Sequence, residues 1–291
     1  MPISIHSAIE NLTSQLKGHS ATPEREAEWL LAHVTGQHHS ALRSNHAQYL
    51  TSAQAQQLDA LISRRLSGEP LAYVLGDQPF WTLNLKVNSS VLIPRPDTEL
   101  VVERALHHLS PNAGGRVLEL GTGSGAIALS IATERPALNI LATDYSTAAL
   151  VIAQENAALH HINTVTFLHS NWFSDIPAQT FTAILSNPPY IAEDDPAVDA
   201  SVRQFEPHIA LFSEDHGLAA LNHIIENAPR YLAKNGWLIL EHGWQQAANV
   251  RELLESNGFS SVASHADLAG HLRVTEGQWP APLLSDSSNQ P

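Results

Sequence analysis

Apolar positions recur at three- and four-residue spacing from Ile3 to about Leu66, which is the period of amphipathic helices. Two stretches with this spacing are Trp29, Leu30, His33 and Val34, and Leu58, Leu61, Ile62 and Leu66. Thr22-Pro23-Glu24 predicts a helix start with Thr22 as the N-cap, and Gly68-Glu69-Pro70 ends the helical pattern. We therefore predict a small all-helical domain over residues 1–75.

The pattern changes to a period of two between Phe80 and Ile93. Apolar Leu83, Leu85 and Val87 alternate with polar residues, as in a half-buried strand. Asn88-Ser89-Ser90 predicts a turn, and Val91-Leu92-Ile93 predicts a second short strand. Residues 76–95 are therefore predicted to form a β-hairpin linker.

After Pro94, short apolar runs alternate with helical segments, which is the pattern of a doubly wound, mostly parallel sheet. The predicted strands are Arg116–Leu120, Asn139–Thr143, Val165–Leu168, Ala183–Leu185 and Trp237–Leu240, with two weaker ones near Ser261 and Arg273. The predicted helices are Ala126–Thr133, Ala148–Leu159, Leu218–Leu232 and a segment from Val250 to Ser256. This pattern predicts an α/β domain over residues 96–280, and the Ser-, Pro- and Asn-rich residues 281–291 are predicted to be disordered.

A glycine-rich loop follows the first predicted strand of this domain and opens a helix. It reads Gly121-Thr122-Gly123-Ser124-Gly125, and glycines let a ligand approach the backbone closely. The spacing differs from the dinucleotide-binding pattern, and Glu119 stands two positions before Gly121. A carboxylate there repels a pyrophosphate but attracts an ammonium group. These features favour S-adenosylmethionine, which carries an ammonium group and no phosphate.

Asp144 ends the second predicted strand of the same domain. An acid at this position of an open sheet can accept hydrogen bonds from both hydroxyls of a ribose. Taken alone, the glycine loop is compatible with an ordinary strand–helix turn, and Asp144 is compatible with a surface residue. Their combination predicts that both bind the nucleoside part of the cofactor.

Asn187-Pro188-Pro189-Tyr190 follows the fourth predicted strand, where ligands collect beyond the carboxyl ends of parallel strands. The side-chain oxygen of Asn187 and the carbonyl of Pro188 can accept hydrogen bonds from a planar amide or amine and make its nitrogen more nucleophilic. The two prolines stiffen the segment, and Tyr190 can stack on the planar group. We predict methyl transfer to a conjugated nitrogen, driven by alignment and without an obligatory general base.

The charge balance bears on the substrate. The 291 residues include 29 acidic and 15 basic ones, for a formal net charge of −14. Enzymes that grip nucleic acid usually present a basic face. The balance therefore favours a protein or a small molecule as the substrate, with no direct contact to nucleic acid.

Other features of the composition exclude further classes of site. Cysteine is absent, which excludes disulfides and thiolate metal sites. The 17 histidines include adjacent pairs, but neighbours on a helix point about 100° apart and chelate poorly, so no metal is predicted. No secretory signal and no apolar run of about 20 residues is visible, so we expect a cytoplasmic protein without a membrane anchor.

These motifs, in order, resemble the HemK/PrmC family. The resemblance is also carried by Gly68-Glu69-Pro70-Leu71-Ala72-Tyr73, Leu92-Ile93-Pro94-Arg95-Pro96-Asp97-Thr98-Glu99, Phe205-Glu206-Pro207 and Glu241-His242-Gly243. It implies a class I S-adenosylmethionine-dependent methyltransferase fold with a seven-stranded sheet. It also implies a protein-(glutamine-N5) methyltransferase that modifies the glutamine in the Gly-Gly-Gln motif of peptide chain release factors.

The same resemblance implies roles for individual segments. Asn187 to Tyr190 would hold the glutamine, with Asn187 also beside the cofactor, and residues 1–75 would dock the release factor. Gly121 to Gly125 and Asp144 would hold the cofactor, with Trp172 beside the adenine. Asn171 stands where relatives commonly carry Asp, and its amide oxygen can still accept from the adenine amino group.

Three alternatives remain open at this point. An adenine-N6 or cytosine-N4 DNA methyltransferase uses the same tetrapeptide, but the net charge and the lack of a Lys/Arg-rich stretch disfavour it. A sister enzyme acts on a glutamine of a ribosomal protein, and Arg95-Pro96-Asp97-Thr98-Glu99 favours the release factor enzyme over it. A methyltransferase-like protein without activity is disfavoured by Asn187 and the intact glycine loop.

Overall fold

The computed structural model describes residues 3–42, 44, 48–111 and 114–280. The predicted disordered tail, 281–291, lies outside the described residues. The described residues divide into two compact units, one within 1–77 together with 199–205 and one within 78–198 together with the described residues from 206 onwards. The sequence had assigned 199–205 to the methyltransferase domain, and the domain limits proposed above stay predictions.

The first unit is helical in its described part. Its helices are α1 (Ile5–Leu16), α2 (Pro23–Thr35), α3 (His39–Leu42), α4 (Ser52–Leu66) and α5 (Leu71–Leu75), and α9 (Ala200–Phe205) belongs to the same unit. The apolar faces of α1, α2 and α4 form one core that includes Leu12, Leu30 and Leu61. The predicted helical period is thus confirmed, whereas the short α5 was not predicted because its five residues are too few to show a period.

Two details of α2 differ from the prediction. Thr22 is the N-cap residue, but its side chain makes no capping hydrogen bond. Trp29 does not lie in the core: it is 39% exposed, with the guanidinium of Arg25 5.9 Å from its ring. Glu26 is buried instead and forms a 2.8 Å ion pair with Arg65, which satisfies its charge.

The second unit contains a seven-stranded sheet in the order β5-β4-β3-β6-β7-β9-β8. Its strands are β3 (Gly115–Leu120), β4 (Leu138–Asp144), β5 (Val165–His169), β6 (Phe181–Ser186), β7 (Leu232–Glu241), β8 (Ser260–Ala266) and β9 (Leu272–Gln278). The five strands β5, β4, β3, β6 and β7 are parallel to their neighbours in the sheet. Strand β9 runs antiparallel to both β7 and β8. The predicted class I methyltransferase fold with its mostly parallel sheet is confirmed.

The helices of this unit lie between the strands in sequence. They are α6 (Glu99–His108), α7 (Ala126–Glu134), α8 (Thr147–Leu159), α10 (His208–Leu211), α11 (Ala219–Asn227) and α12 (Ala247–Ser256). The prediction of one helix over Leu218–Leu232 was too long. After α11 the chain forms a 3-10 turn over Ala228–Arg230, where Pro229 cannot continue the α-helical hydrogen bonding, and β7 begins at Leu232.

The hairpin is also displaced from its predicted position. β1 (Asp77–Phe80) and β2 (Leu83–Lys86) form the two-stranded sheet, whereas Val91-Leu92-Ile93 is not a strand. Val91 and Ile93 are buried although they pair with no strand, so their apolar character reflects burial and not ladder pairing.

Two apolar clusters cover the two faces of the seven-stranded sheet. One joins β3 and β4 to α6 and α7, and the other joins β6 and β7 to α11 and α12. Buried on both faces, the parallel strands hold their carboxyl ends in fixed relative positions. Within the described ranges, no helix is long and apolar enough to cross a membrane; the cytoplasmic location stays a prediction.

Candidate active site

Each parallel strand contributes a segment of the candidate site at its carboxyl end. Trp172 follows β5, Asp144 ends β4, Gly121 follows β3, Asn187 follows β6, and Glu241 ends β7. From β3 the chain proceeds to β4 and β5 on one side and then crosses back to β6 on the other side of β3, so β3 and β6 flank the topological switch point where open sheets bind ligands. Backbone order alone therefore gathers residues that are far apart in the sequence.

The glycine loop turns sharply between β3 and α7. Gly121 and Gly123 have φ values of +73° and +56°, which side chains rarely adopt. The Thr122 amide donates to the Thr143 carbonyl at 2.8 Å, which ties the loop to β4. Buried Asn156 donates from Nδ2 to the Ser124 carbonyl at 2.9 Å and so supports the loop from α8. These contacts fix the loop backbone at the wall of the neighbouring cavity.

Two carboxyl groups flank this loop. Glu119 is 1% exposed, and its Oε2 accepts from the Thr122 hydroxyl at 2.6 Å and from the Ala128 amide at 3.2 Å. Burial raises the pKa of Glu119 to about 8, against the lowering effect of these two hydrogen bonds. Asp144 accepts from the amides of Gly123 and Ser146, both at 2.8 Å, and burial raises its pKa as well.

A cavity of about 610 Å³ opens beside the glycine loop, within the usual size range of cofactor pockets. Most of the sequence-predicted residues line it: Gly121, Thr122, Gly123, Ser124, Asp144, Asn171, Trp172, Asn187 and Pro189. Gly125, Pro188 and Tyr190 are not in its lining. Gly125 instead packs against α7, where an added Cβ would lie 2.9 Å from Leu129 Cδ1.

The donors and acceptors of this cavity fit S-adenosylmethionine. Asp144 lines the cavity with a carboxyl group that can accept from ribose hydroxyls, and Glu119 presents a carboxyl group for an ammonium group. Trp172 lies at the wall with φ +50°, and the Ser170 hydroxyl holds this turn by donating to the Trp172 carbonyl at 2.8 Å. The exposed Tyr145 also lines the cavity, a residue that sequence reasoning missed. Assigning these side chains to parts of the cofactor stays a prediction.

The Asn187 amide has a defined partner at its nitrogen end. Its Nδ2 donates to Thr98 Oγ1 at 3.1 Å, and Thr98 is 4% exposed. Since Asn187 also lines the cavity, Oδ1 is the end of the amide left to accept a hydrogen bond from a ligand. This orientation is the one that the predicted chemistry needs.

Tyr190 is oriented by other parts of the chain. Its hydroxyl donates to Oε1 of the buried Glu241 at 3.1 Å, and its ring packs against the cluster of β6 and β7. Its carbonyl accepts from Gln246 Nε2 at 3.0 Å. Gly217 passes so close that an added Cβ would lie 2.1 Å from the Tyr190 carbonyl oxygen. The predicted stacking of Tyr190 on an amide stays a prediction.

The segment before α6 is fixed by ion pairs. Glu206 accepts from the Ile93 amide at 3.1 Å and forms a short hydrogen bond with the Arg95 guanidinium. Asp97 lies 3.5 Å from the Arg273 guanidinium. These contacts fix the segment in which Thr98 contacts Asn187. The charged residues Arg95 and Asp97 therefore have a structural role in this segment.

Thr98, Glu241 and Asn156 are therefore functional candidates that sequence reasoning did not single out for these roles. Thr98 and Glu241 belong to motifs that carry the family resemblance. Their hydrogen-bond partners, Asn187 and Tyr190, are distant in sequence, so the contacts could not be predicted. Residues 3–42, 44, 48–111 and 114–280 contain no group of three or more His, Asp or Glu side chains placed to hold a metal ion.

Comparisons with known proteins identify families and relatives that this chain resembles over most of its length. The family described as PrmC N-terminal domain matches residues 7–76, and the family described as Methyltransferase small domain matches residues 99–207. The release factor glutamine methyltransferase of Aliivibrio fischeri is 44% identical over 273 residues, covering 94% of this chain and 95% of the relative. The one of Escherichia coli is 46% identical over 271 residues, covering 93% and 97% respectively.

A solved structure supports the fold independently. A methyltransferase from Pyrococcus furiosus superposes with a TM-score of 0.52 at 19% identity, over 68% of this chain and 90% of that one. At this level of identity the likeness concerns the fold alone.

Proposed function

We propose that this chain, which belongs to the release factor glutamine methyltransferase family, methylates the side-chain amide nitrogen of the glutamine in the Gly-Gly-Gln motif of peptide chain release factors. The observation that carries the proposal is the Asn187 amide at the cavity wall, with Nδ2 held by Thr98 and Oδ1 left for a ligand. Residues 1–75 dock the release factor in this proposal.

The enzyme depends on S-adenosylmethionine, which supplies an electrophilic methyl group on a sulfonium when it is bound. Asp144 binds the ribose, Glu119 the ammonium group, and Trp172 and Asn171 the adenine. The glycine loop lets the cofactor approach the backbone because no Cβ intervenes. These residues set the position of the methyl group relative to Asn187.

The substrate amide needs activation because its nitrogen lone pair is delocalised into the carbonyl. Asn187 Oδ1 and the Pro188 carbonyl accept hydrogen bonds from the two N–H groups of the glutamine and hold the nitrogen in line with the methyl group. The acceptors stabilise the positive charge that develops on the nitrogen during transfer. Alignment supplies most of the rate in this scheme. The methyl–sulfur bond would break as the methyl–nitrogen bond forms, the thioether S-adenosylhomocysteine would leave, and the nitrogen would then lose a proton to water.

The proposal is tested by transfer of labelled methyl groups from S-adenosylmethionine to three purified acceptors: a release factor, a large-subunit ribosomal protein and duplex DNA. We expect label on the release factor alone, and none on a release factor whose motif reads Gly-Gly-Ala. Label on the ribosomal protein or on DNA would assign the enzyme to that substrate class. Failure to label any acceptor, with cofactor binding retained, would refute the proposed reaction.

A further inference from the structure

Gln246 is the N-cap residue of α12, yet its side chain makes no capping hydrogen bond. Its amide instead joins separate loops. Oε1 accepts from the Gly243 amide at 2.9 Å, and Nε2 donates to the Tyr190 carbonyl at 3.0 Å and to the His216 carbonyl at 3.3 Å. Gly243 lies just beyond β7, and Tyr190 ends the Asn-Pro-Pro-Tyr segment after β6. One side chain therefore connects the segments that follow two neighbouring strands.

The amide of Gln246 has a single orientation that suits these partners. A backbone N–H can only donate and a carbonyl can only accept, so a flipped amide would face like groups at both ends. The Gly243 side of the contact is itself fixed. The Gly243 carbonyl accepts from the Gln246 backbone amide at 2.8 Å and from Nδ1 of the buried His242 at 2.9 Å. Gln246 therefore presents its N–H donors to Tyr190 from a fixed support.

The chain also leaves room for this hydrogen bond. Gly217 has a φ of +86°, and an added Cβ would lie 2.8 Å from Gln246 Nε2 and 2.1 Å from the Tyr190 carbonyl oxygen. A larger residue at this position would push the donor or the acceptor out of place. Two positions distant in sequence thus provide for the same contact.

The Tyr190 carbonyl bears on the geometry of the whole tetrapeptide. In the proposed reaction, Asn187 Oδ1 and the Pro188 carbonyl face the two N–H groups of the substrate amide. Pro188 and Pro189 have no N–H group and a fixed φ, so the backbone of the segment is anchored through its two ends. Asn187 is held at one end, and the Tyr190 carbonyl is held by Gln246 at the other. A displacement of the second end turns the Pro188 carbonyl away from the substrate.

We infer that Gln246 is a positioning residue for methyl transfer: its N–H donors hold the Tyr190 carbonyl and so set the direction of the Pro188 carbonyl towards the substrate nitrogen. Gln246 is not among the residues that line the cavity, so it acts through Tyr190 and not by contact with the cofactor. This inference rests on the proposed function, because the Pro188 carbonyl matters only if it accepts from the substrate.

Three variants separate the donor from packing and from charge. Gln246→Glu keeps the length and shape of the side chain, but an oxygen then faces the Tyr190 and His216 carbonyls. Gln246→Met keeps the length and removes both ends of the hydrogen-bonding amide. Gln245→Glu is the matched control, because Gln245 is exposed and the substitution adds the same charge one position away.

The experiment measures kcat for methyl transfer to a purified release factor at pH 8 and saturating cofactor. Titration with S-adenosylhomocysteine gives its Kd and the fraction of chains that bind it. We expect Gln246→Glu and Gln246→Met to lower kcat by about 10- to 100-fold, with the Kd within about threefold of wild type and the binding fraction unchanged. Gln245→Glu should keep the wild-type kcat. Wild-type kcat in either Gln246 variant would overturn the inference, and so would a loss of kcat matched by an equal loss of the binding fraction.

The pH dependence tests the donor directly. At low pH the carboxyl group introduced by Gln246→Glu is protonated and regains one O–H donor for the Tyr190 carbonyl. The facing carbonyl oxygens disfavour its charged form and raise its pKa above the usual value of about 4.3. The kcat of Gln246→Glu relative to wild type should therefore rise as the pH falls from about 8.5 to about 5.5. The neighbouring ionisable groups of His216, His242 and Glu241 are present in every variant, so their titration cancels in this ratio.

The same ratio for Gln246→Met should stay flat, because a thioether gains no donor at low pH. A flat ratio for Gln246→Glu over this range would contradict the donor role, since the loss of rate would then come from packing alone.

The outcomes distinguish this inference from the proposed function. If the wild-type enzyme fails to label the release factor, the proposed function fails. If the wild-type enzyme labels the factor and Gln246→Glu does so at the same rate at pH 8, only the positioning role fails. Should Gln246→Glu not fold, the kcat of Gln246→Met decides the question.

Discussion

Replacing Glu119 with glutamine should remove most of the pH dependence of cofactor binding. Glu119 lines the cavity, and burial raises its pKa to about 8, with a further contribution from the charge of Asp144. In the free enzyme the carboxyl group is therefore mostly protonated at neutral pH. Because the ammonium group of the cofactor favours the ionised form, binding should release a proton.

The size of the effect follows from that pKa. If only the carboxylate binds the ammonium group, the apparent Kd scales with 1 + 10^(8−pH), so affinity rises about 25-fold between pH 6.5 and 8.5. At pH 7 about 0.9 protons should be released per cofactor bound. In Glu119→Gln the new amide oxygen can still accept from Thr122 and from the Ala128 amide, so the loop should be retained.

Isothermal titration with S-adenosylhomocysteine in buffers of different ionisation enthalpy measures both quantities. The variant serves as the control for the titration of the ligand's own amino group. We expect the wild type to show the additional pH dependence and the variant to lack it. Equal proton release by the two proteins across this range would refute the reasoning that Glu119 binds the ammonium group.

Three further predictions concern Asn187, Gly217 and Glu241. Asn187→Ala should lower kcat at least about 100-fold with the cofactor Kd within about threefold, measured by methyl transfer and titration; lost binding with retained kcat would contradict its role. Gly217→Ala should displace the Tyr190 carbonyl, 2.1 Å from the added Cβ, and destabilise the protein by about 2 kcal/mol or more. Gly270→Ala has the same φ of +86° with nothing within 4 Å and is the matched control in thermal unfolding. Burial raises the pKa of Glu241 to about 7, so its ionisation removes stability as the pH rises through 7, and Glu241→Gln should raise Tm at pH 9 more than at pH 5.

The sequence predicted the strands of a mostly parallel sheet and most of the residues that line the cavity. Short apolar runs indicated the parallel strands because those strands are buried on both faces, which leaves a continuous apolar signal. The carboxyl ends of these strands then carry Asp144 as a last strand residue, and the glycine loop and Asn187 in the segments that follow. The fold could be predicted because strands and helices alternate regularly along the chain, and this alternation is visible without information on long-range contacts.

The contacts that orient the site could not be predicted in the same way. Thr98 and Asn187 are 89 positions apart, and Tyr190 and Glu241 are 51 apart. A local pattern carries no signal for such pairs, because their proximity arises from the order of strands in the sheet. A local pattern also cannot separate burial by packing from burial by strand pairing. The apolar segment around Val91 was therefore predicted to be a strand, although Val91 is buried without pairing.

The central claim is the identity of the methylated atom, and tandem mass spectrometry of the reacted release factor tests it most directly. We predict one added methyl group on the glutamine of the Gly-Gly-Gln peptide, with fragment ions that place it on the side-chain nitrogen. The Asn187→Ala enzyme should modify that peptide at least about 100-fold more slowly. A methyl group on another residue of the factor would contradict the account. So would an unmodified factor in a reaction in which S-adenosylmethionine is consumed.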